Sequence, residues 1–366
     1  MSSGKVLKII IAGGGTGGHI FPALAIANAL RAINPKVEIL FVGAKGKMEM
    51  EKIPGAGYRI IGIDIAGYNR SSLIKNISLP FKLFQSYFQV KDILNSFMPD
   101  AVIGVGGYST FPVVRLAQRR NISTFIHEAN SLGGKSNSLL AKRSKIVFVA
   151  SDGMEKYFPA EKIMKLGNPV REVFTKDISK ENALEFFGLK TGLKTVFVTG
   201  GSLGAKSINE AIEENIDQFK KNHLQLIWQT GKEFSSKAAL IEEEQNNMWS
   251  GAFITKMENA YAAADVVVCR AGAMTIAELC VVGKPAIFVP FPFAAEDHQT
   301  VNAMALVNKN AALIVPDNQV KTLLMHTILE LINDEKKRRE LEVNILKMGN
   351  KYADKAIAKQ ILKVID

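Results

Sequence analysis

The sequence predicts two Rossmann-like α/β domains, each a doubly wound parallel β-sheet with helices on both faces, which face one another across a cleft. A strand, a glycine-rich turn and a helix follow one another twice, first as LKIIIA, GGGTGGH and FPALAIANALRAI, and again as KTVFVTG, GGSLGA and SINEAIEENI. Apolar runs alternate with helical patterns along the chain, and continuous apolar runs are typical of strands buried on both faces. The length of 366 residues allows two domains of ordinary size.

Short apolar runs predict the other strands of both sheets. They lie at 37–43, 101–107, 123–128 and 145–151 in the first half, and at 224–230, 264–270 and 285–291 in the second. A proline and a run of charges at 167–180 indicate the junction. We therefore expect an N-terminal domain over 1–168 and a C-terminal domain over 169–349, with a helix at about 350–366 packed back onto the first. Ligands of such sheets bind at the carboxyl ends of the strands, so the cleft is the expected site.

Composition excludes several classes of protein. Two cysteines, Cys269 and Cys280, provide neither a disulfide framework nor a cysteine-rich zinc site, and the five histidines show no ligand spacing. The apolar run from Lys8 to Ala12 breaks into glycines, so we expect no secretory signal, and no apolar stretch reaches the roughly 18 residues of a membrane span. The net charge of +11 fits nucleic acid, an anionic membrane surface or a phosphorylated substrate, and does not choose among them.

The first glycine-rich turn, Gly13 to His19, matches the G-x-G-x-x-G pattern of dinucleotide-binding proteins. The second predicted strand ends at Val42 to Lys45 without the acidic residue that would hold a ribose, and the turn lacks the lysine of a P-loop. The pattern therefore favours a flexible backbone at a helix N-terminus, suited to diphosphate or sugar oxygens. A tight turn that only packs strand against helix is the alternative.

The second turn contains G-x-S-x-G, the nucleophile-elbow pattern of serine hydrolases, and Asp265 and His298 follow Ser202 in the hydrolase order. Against a hydrolase, Ser202 follows the first strand of its own domain, and the first domain repeats this turn without a serine. We favour a phosphate ligand at Ser202 and keep the hydrolase as an alternative.

A third small-residue turn, Arg270 to Thr275, begins a helix whose N-terminal amides would receive phosphate oxygens. Glu278 lies one turn inside this otherwise apolar helix, which favours an acceptor for a ribose diol over a solvated surface carboxylate. No two aspartates have the D-x-D spacing of a metal clamp. We therefore expect helix N-termini, Ser202 and Arg171 to stabilise a diphosphate, with no metal ion and no other cofactor.

Seven motifs in a fixed order, from about residue 8 to 315, resemble one known family: GGGTGGH, GVGGYSTFP (104–112), HEAN (127–130), GNPVR (167–171), GGSLGA (200–205), RAGAMTIAE (270–278) and DHQTVNA (297–303). Together they look like the MurG family of peripheral-membrane glycosyltransferases, which have the two-domain GT-B fold. The resemblance implies transfer of N-acetylglucosamine from UDP-N-acetylglucosamine to the 4-hydroxyl of undecaprenyl-diphosphate-linked N-acetylmuramoyl-pentapeptide, in peptidoglycan synthesis. It also implies a peripheral location on the cytoplasmic face of the bacterial cell membrane, and no nucleic-acid partner.

The resemblance also assigns the site. The C-terminal domain would hold the donor, with Ile254 at the uracil and with diphosphate and ribose held by Ala273, Met274, Thr275, Ile276, Ala277 and Glu278. Ser202 and Arg171 match positions beside the diphosphate, and positions around the sugar are matched by Gln299, Asn130, Thr16, Gly17 and Gly18. His19, Tyr108 and Glu128 would face the acceptor.

The implied reaction inverts the anomeric carbon and needs one base. His19 is the favoured base because an imidazole titrates near neutrality, and Glu128 is the alternative. A structural imidazole that orients the glycine turn is the other interpretation of His19. Another nucleotide-sugar transferase or epimerase, and a dinucleotide enzyme, stay open beside the hydrolase.

Residues 68–90 predict a membrane contact, because apolar side chains lie among Arg70, Lys75 and Lys82. The candidates for exposure surround the helix-breaking Pro80 and are Leu73, Ile74, Leu79 and Phe81. We expect Phe84 and Phe88, spaced i,i+4, to belong to a core helix instead. A ladder of lysines at every fourth position, which favours a solvated face over a second membrane contact, consists of Lys347, Lys351, Lys355, Lys359 and Lys363.

Overall fold

The computed structural model describes residues 6–65 and 79–365, with side chains in the second range from Phe84 onward. The chain divides into two compact units, here called unit 1 (Met1–Arg171 with Asn350–Asp366) and unit 2 (Glu172–Gly349). The division falls inside the stretch 167–180. Part of the predicted membrane contact lies outside the described residues, namely Arg70, Leu73, Ile74 and Lys75 together with the side chains of Leu79, Phe81 and Lys82.

Unit 1 is built on a sheet of seven parallel strands: β1 (Lys8–Ala12), β2 (Glu38–Ala44), β3 (Arg59–Ile63), β4 (Ala101–Gly104), β5 (Ser123–Glu128), β6 (Ile146–Val149) and β7 (Ile163–Lys165). Their order is β3-β2-β1-β4-β5-β6-β7. Ile9, Ile10 and Ile11 of the interior strand β1 are fully buried, as expected of a strand covered on both faces. The order reverses between β1 and β4, so the first glycine turn lies at the switch point where such sheets bind ligands.

Among the described residues, the helices that connect these strands are α1 (Gly17–Ile33), α2 (Glu49–Gly55), α3 (Leu79–Phe97), α4 (Thr110–Arg119) and α5 (Lys135–Ala141). Within the described part of the chain, no helix is both long enough and apolar enough to cross a membrane.

Unit 2 repeats the architecture with six parallel strands: β8 (Lys194–Thr199), β9 (Leu224–Gln229), β10 (Met248–Gly251), β11 (Val266–Cys269), β12 (Ala286–Phe288) and β13 (Leu313–Ile314). Their order is β10-β9-β8-β11-β12-β13. Its helices are α6 (Lys180–Phe186), α7 (Lys206–Glu214), α8 (Ile216–Lys221), α9 (Lys232–Glu244), α10 (Met257–Ala263), α11 (Ala273–Val282), α12 (His298–Val307), α13 (Val320–Asn333) and α14 (Glu335–Leu346). Both sheets are parallel and doubly wound, which confirms the predicted fold class.

The last helix, α15 (Ala353–Ile365), belongs to unit 1 although the chain reaches it from unit 2. Ile357 and Ile361 are fully buried in one apolar cluster with Ile26 and Leu30 of α1. Their spacing of four residues places both side chains on the same face of the helix.

Four strands were not among the predicted apolar runs: β3, β7, β10 and β13. Each of them forms an edge of its sheet. They are short and of mixed character, for example RIIGI in β3 and MWSG in β10. An edge strand pairs on one side only and needs no continuous apolar run, so its sequence signal is weak.

The expectation that Phe84 and Phe88 are core residues is wrong. Their exposed fractions are 64% and 46%. The buried face of α3 is formed instead by Ser86, Val90 and Leu94 at i, i+4 and i+8. Phe84 and Phe88 do share a face, with ring centroids 4.8 Å apart, but it is the opposite one. The i,i+4 spacing of Phe84 and Phe88 indicates only that both lie on one face of the helix. It does not indicate which face is buried, because the buried face includes a small polar residue, Ser86.

The lysine ladder does not lie on one helix. α14 ends at Leu346, just before Lys347, and Lys351 precedes α15. Only Lys355, Lys359 and Lys363 share a helix, where all three are exposed.

Candidate active site

The glycine turn of unit 1 uses its first three amides within the chain. Gly13 N donates to the Val42 carbonyl at 3.2 Å and Gly14 N to the Gly106 carbonyl at 3.2 Å. Gly15 N donates to Oε2 of Glu49 at 2.7 Å. The amides that could meet phosphate or sugar oxygens are therefore those of the predicted residues Thr16, Gly17 and Gly18, where α1 begins.

A second loop, after β4, lies directly against this turn. A Cβ atom at Gly107 would overlap the Gly14 carbonyl oxygen, and φ is +88° at Gly107, so both space and backbone conformation require glycine there. A Cβ at Gly106 would overlap the imidazole of His19. Tyr108, predicted on the acceptor side, follows with half of its surface exposed. The two loops thus bring His19 and Tyr108 to the same edge of the sheet.

The His19 imidazole is partly exposed and is held by the backbone of its own turn. Nδ1 lies 3.0 Å from the Gly14 carbonyl oxygen and 3.4 Å from the Thr16 hydroxyl. A carbonyl oxygen can only accept, so the shorter contact assigns the proton to Nδ1 and leaves Nε2 as the ring's acceptor.

Glu128, the alternative base, is buried and accepts four hydrogen bonds. Oε1 accepts from the backbone and side-chain nitrogens of Asn130 at 3.1 and 3.3 Å. Oε2 accepts from Gly134 N at 3.1 Å and from Asn137 Nδ2 at 2.8 Å. Both oxygens therefore order the loop after β5, and Asn130 is held by this carboxylate.

His127, one residue earlier, is fully buried. Among the residues that the structure describes, neither of its ring nitrogens meets a hydrogen-bond partner. Burial, together with the charge of His19 and partly opposed by the Asn168 side chain, lowers the pKa of His127 from 6.5 to about 4. His127 is therefore neutral at physiological pH.

Arg171 ends the first part of unit 1, and its guanidinium lies 5.4 Å from the centre of the Phe21 ring on α1. A cation over an aromatic face is an attractive contact. It holds Arg171 close to the glycine turn of unit 1.

Unit 2 contains a cavity of about 620 Å³ beside its own glycine turn. Three of the predicted donor-site residues, Ser202, Thr275 and Gln299, line it together. Ser202 lies in the loop after β8, and Thr275 and Gln299 lie in the first turns of α11 and α12, which follow β11 and β12 at the carboxyl edge of the sheet. Ile254 and Glu278 do not line this cavity, and each is connected by a hydrogen bond to a buried polar side chain.

Gln229 makes the first of these connections, and no sequence motif points to it. Its Nε2 donates to the Thr199 hydroxyl and the Gly201 carbonyl, both at 3.0 Å. Its Oε1 accepts from the amide of Ile254 at 2.8 Å. The backbone amide of Ile254, which is expected to bind the uracil edge, therefore donates to Gln229 in this structure. This hydrogen bond would have to break before the amide could bind uracil.

Tyr261 is the second connection, again missed from the sequence. Its hydroxyl donates to Oε2 of Glu278 at 3.1 Å, and Glu278 is half-buried on α11. α11 runs from Ala273, so Met274, Ile276 and Ala277 follow in its first turns, and it ends at Gly283 in the left-handed conformation. This hydrogen bond helps to orient the Glu278 carboxylate on an otherwise apolar helix.

Arg270 supplies positive charge beneath the cavity. It donates to Asp317 Oδ1 at 2.5 Å, to Ser207 Oγ at 3.0 Å and to two backbone carbonyls after β12. Asp317 and Ser207 were not identified from the sequence because they lie 47 and 63 residues from Arg270 along the chain. Only the fold brings them together.

The loop before α12 positions Gln299. Its Oε1 accepts from Phe291 N at 3.0 Å. Glu296 and Asp297 both have positive φ, 54° and 52°, which is uncommon outside glycine. Phe293 is 84% exposed at the cavity. Such strained pairs occur where a loop must present a particular side chain.

Two doubly wound parallel units, each with a glycine turn after its first strand, define the class of GT-B glycosyltransferases. Residues 9–149 match the glycosyltransferase family 28 N-terminal domain, and residues 195–361 match the glycosyltransferase family 28 C-terminal domain. The crystal structure of Acinetobacter baumannii MurG is similar with a TM-score of 0.77 and 28% identity, covering 98% of this chain and 99% of that one.

Two full-length relatives carry the name UDP-N-acetylglucosamine–N-acetylmuramyl-(pentapeptide) pyrophosphoryl-undecaprenol N-acetylglucosamine transferase. The protein from Cytophaga hutchinsonii is 46% identical over 368 residues, covering 100% of this chain and 99% of the relative. The protein from Bacteroides thetaiotaomicron is 45% identical over 367 residues, covering 99% of each. The chain therefore belongs to glycosyltransferase family 28 and, within it, to the MurG family. This membership confirms the resemblance and decides against the dinucleotide-enzyme and hydrolase alternatives.

The buried His127 predicts a loss of stability in acid. Between pH 6.5 and pH 4 the unfolded chain binds a proton at this position and the folded protein does not, so the free energy of unfolding falls as the pH is lowered. The full effect is about 3 kcal/mol. Amide hydrogen exchange in β5 at several pH values measures it.

In the His127→Gln variant this part of the pH dependence should disappear. The matched control is His326→Gln, which removes an exposed imidazole and should leave the slope unchanged. An equal slope in wild type and His127→Gln would contradict the assignment.

Proposed function

We propose that this chain transfers N-acetylglucosamine from UDP-N-acetylglucosamine to the 4-hydroxyl of undecaprenyl-diphosphate-linked N-acetylmuramoyl-pentapeptide, a step of peptidoglycan synthesis. Near-complete coverage of relatives that carry this activity in their names supports the proposal. The observation that carries it is the cavity of unit 2, because Ser202, Thr275 and Gln299 offer hydroxyl and amide groups of the kind that bind diphosphate and sugar oxygens.

In this proposal unit 2 binds the donor. The N-terminus of α11 and Ser202 stabilise the diphosphate, Glu278 accepts hydrogen bonds from the ribose hydroxyls, and Gln299 contacts the sugar. Ile254 reads the uracil through its carbonyl, and through its amide if Gln229 turns away on binding. When the bond to the sugar breaks, its electron pair adds one negative charge to the diphosphate of UDP, so donors aimed at that diphosphate lower the barrier of the reaction.

Unit 1 binds the acceptor, and His19 is the base. The 4-hydroxyl of the muramoyl sugar attacks the anomeric carbon, the bond to UDP breaks with its electron pair leaving on UDP, and Nε2 of His19 takes the hydroxyl proton. Glu128 is the weaker candidate because four donors already occupy its oxygens. Its role in the proposal is to hold Asn130 and the loop after β5.

The first test concerns the donor. Glu278→Ala leaves the ribose diol without its acceptor and should weaken UDP binding by roughly 1.5 to 3 kcal/mol, the range for a hydrogen bond to a charged group. Isothermal titration calorimetry with UDP measures the change. Glu243→Ala, an exposed glutamate on α9, is the control and should bind UDP as wild type does. Unchanged affinity in Glu278→Ala would remove Glu278 from the donor site.

The second test concerns the base. His19→Ala should lower turnover with a short-chain lipid acceptor by about 10² to 10⁴, the usual contribution of a general base, while UDP affinity stays at the wild-type value. UDP release measured with and without the acceptor reports the rate. His326→Ala removes an exposed histidine and serves as control. A normal rate in His19→Ala would return this residue to a structural role and direct attention to Glu128→Gln.

The proposal includes peripheral binding to the cytoplasmic face of the cell membrane, since an acceptor on a polyprenyl chain stays in the bilayer. Phe84, Tyr87 and Phe88 support it, because three exposed aromatic rings in contact on α3 form an apolar surface unusual for a face in water. The basic composition supports binding to anionic lipids.

Co-sedimentation with vesicles that contain anionic lipid tests this surface. Phe84→Glu combined with Phe88→Glu should abolish binding, and raised salt should weaken binding of the wild type because screening reduces attraction to the lipid headgroups. Leu240→Glu changes a leucine of the same exposure, 64%, on α9 and serves as control. Normal sedimentation of the folded double variant would place the anchor elsewhere.

A further inference from the structure

One peptide group connects His19 to a buried carboxylate. The Gly14 carbonyl oxygen lies 3.0 Å from Nδ1 of His19. The amide nitrogen of the same peptide group, that of Gly15, donates to Oε2 of Glu49 at 2.7 Å. The hydrogen bonds therefore run without interruption from the imidazole, through the Gly14–Gly15 peptide, to the carboxylate.

Glu49 has a fixed position at the start of α2. It is 1% exposed, and its Oε1 accepts from the amide of Ala44, at the end of β2, at 3.0 Å. A Cβ atom at Gly14 would overlap this carboxyl group, and one at Gly43 would lie 2.6 Å from its Cγ. The glycines at both positions thus make the space that Glu49 fills, and the side chain has no room to turn away.

The direction of each hydrogen bond follows from the groups themselves. A carboxylate accepts from the Gly15 N–H, and the Gly14 carbonyl accepts from an Nδ1–H of His19. Donation from the N–H to an anion shifts electron density toward the carbonyl oxygen, which strengthens it as an acceptor. The Thr16 hydroxyl, 3.4 Å from Nδ1, is a longer and weaker alternative.

We propose that Glu49 is the positioning residue of His19 and acts through the Gly14–Gly15 peptide. It fixes the tautomer with the proton on Nδ1, so that the Nε2 lone pair faces the acceptor hydroxyl, and it stabilises the imidazolium once Nε2 has taken that proton. In many enzymes a third group orients the catalytic base through a direct hydrogen bond. Here the carboxylate would orient the imidazole in the same way, but through the peptide group that lies between them. The proposal rests on the proposed role of His19 as base.

Charges near His19 also affect the protonation of its imidazole ring. His127 interacts electrostatically with His19, and it is neutral at the pH of the reaction because burial is the main cause that lowers its pKa to about 4. Glu128 directs both oxygens to the loop after β5. Glu49 is a carboxylate whose hydrogen bonds do lead to the His19 ring, through the Gly14–Gly15 peptide.

The experiment compares Glu49→Gln and Glu49→Ala with the wild-type enzyme. Glu49→Gln keeps the size of the side chain and one acceptor oxygen for Gly15 N–H, but it removes the charge and places an NH2 group beside Ala44 N–H, so the polarisation of the peptide is lost. Its kcat should fall at least about tenfold, with the KM for UDP-N-acetylglucosamine unchanged, and Glu49→Ala should fall further. Glu51→Gln, an exposed glutamate on the same helix, should behave as wild type.

Two further measurements separate positioning from general damage. Nitrogen NMR of the ¹⁵N-histidine-labelled protein should show the His19 proton on Nδ1 in wild type and a mixture of tautomers in Glu49→Gln. In a double-mutant cycle, Glu49→Gln should add no loss of rate in the His19→Ala background, because Glu49 acts only through that ring.

The outcomes are distinguishable. A full additional loss in the double variant, or a wild-type kcat and tautomer in Glu49→Gln, would overturn the role of Glu49 while leaving His19 as base. A wild-type proton on Nε2 would overturn both roles, because Nε2 could then not take the hydroxyl proton. Full activity of His19→Ala would overturn the base assignment itself, and the proposal with it.

Discussion

Backbone packs directly on backbone at the carboxyl edge of both sheets, and the candidate sites of both units depend on that contact. In unit 1 a Cβ atom at Gly107 would overlap the Gly14 carbonyl, and in unit 2 one at Gly204 would overlap the Thr230 carbonyl. The missing side chains let loops from neighbouring strands touch, so the turn after the first strand is held by the loop beside it. His19 and Ser202 owe their positions to these contacts.

Buried polar side chains hold the glycine-rich turns and the neighbouring loops in place. Glu49 bonds the turn of unit 1 to the end of β2, Glu128 orders the loop after β5, and Gln229 joins the turn of unit 2 to Ile254. A buried polar group without partners is costly, so each of these side chains holds its loop in the one arrangement that satisfies it. Side chains such as Glu49 and Gln229, which are not expected to contact substrate, thereby position the residues that are.

The parts of the fold that were predictable from the sequence are those with a strong local signal. Interior strands such as β1 and β8 are continuous apolar runs because both of their faces are buried. The glycine-rich turns that follow them indicate where each strand ends and the next helix begins. The edge strands β3, β7, β10 and β13 lack that signal because they are paired on one side only. The exposed face of α3 was misassigned for a related reason, since Phe84 and Phe88 are as apolar as core residues and a small serine occupies the buried face.

For the site, the sequence by itself determined the residue types at the turns and the family to which they belong, because glycines, a histidine and short motifs in a fixed order need no tertiary contact to be recognised. Only the tertiary structure decided which polar groups support them. Glu49 lies 34 residues from Gly15, Asp317 lies 47 residues from Arg270, and Gln229 lies 25 residues from Ile254. No local pattern connects such pairs, because they meet where parallel strands, separated by whole helices along the chain, end side by side.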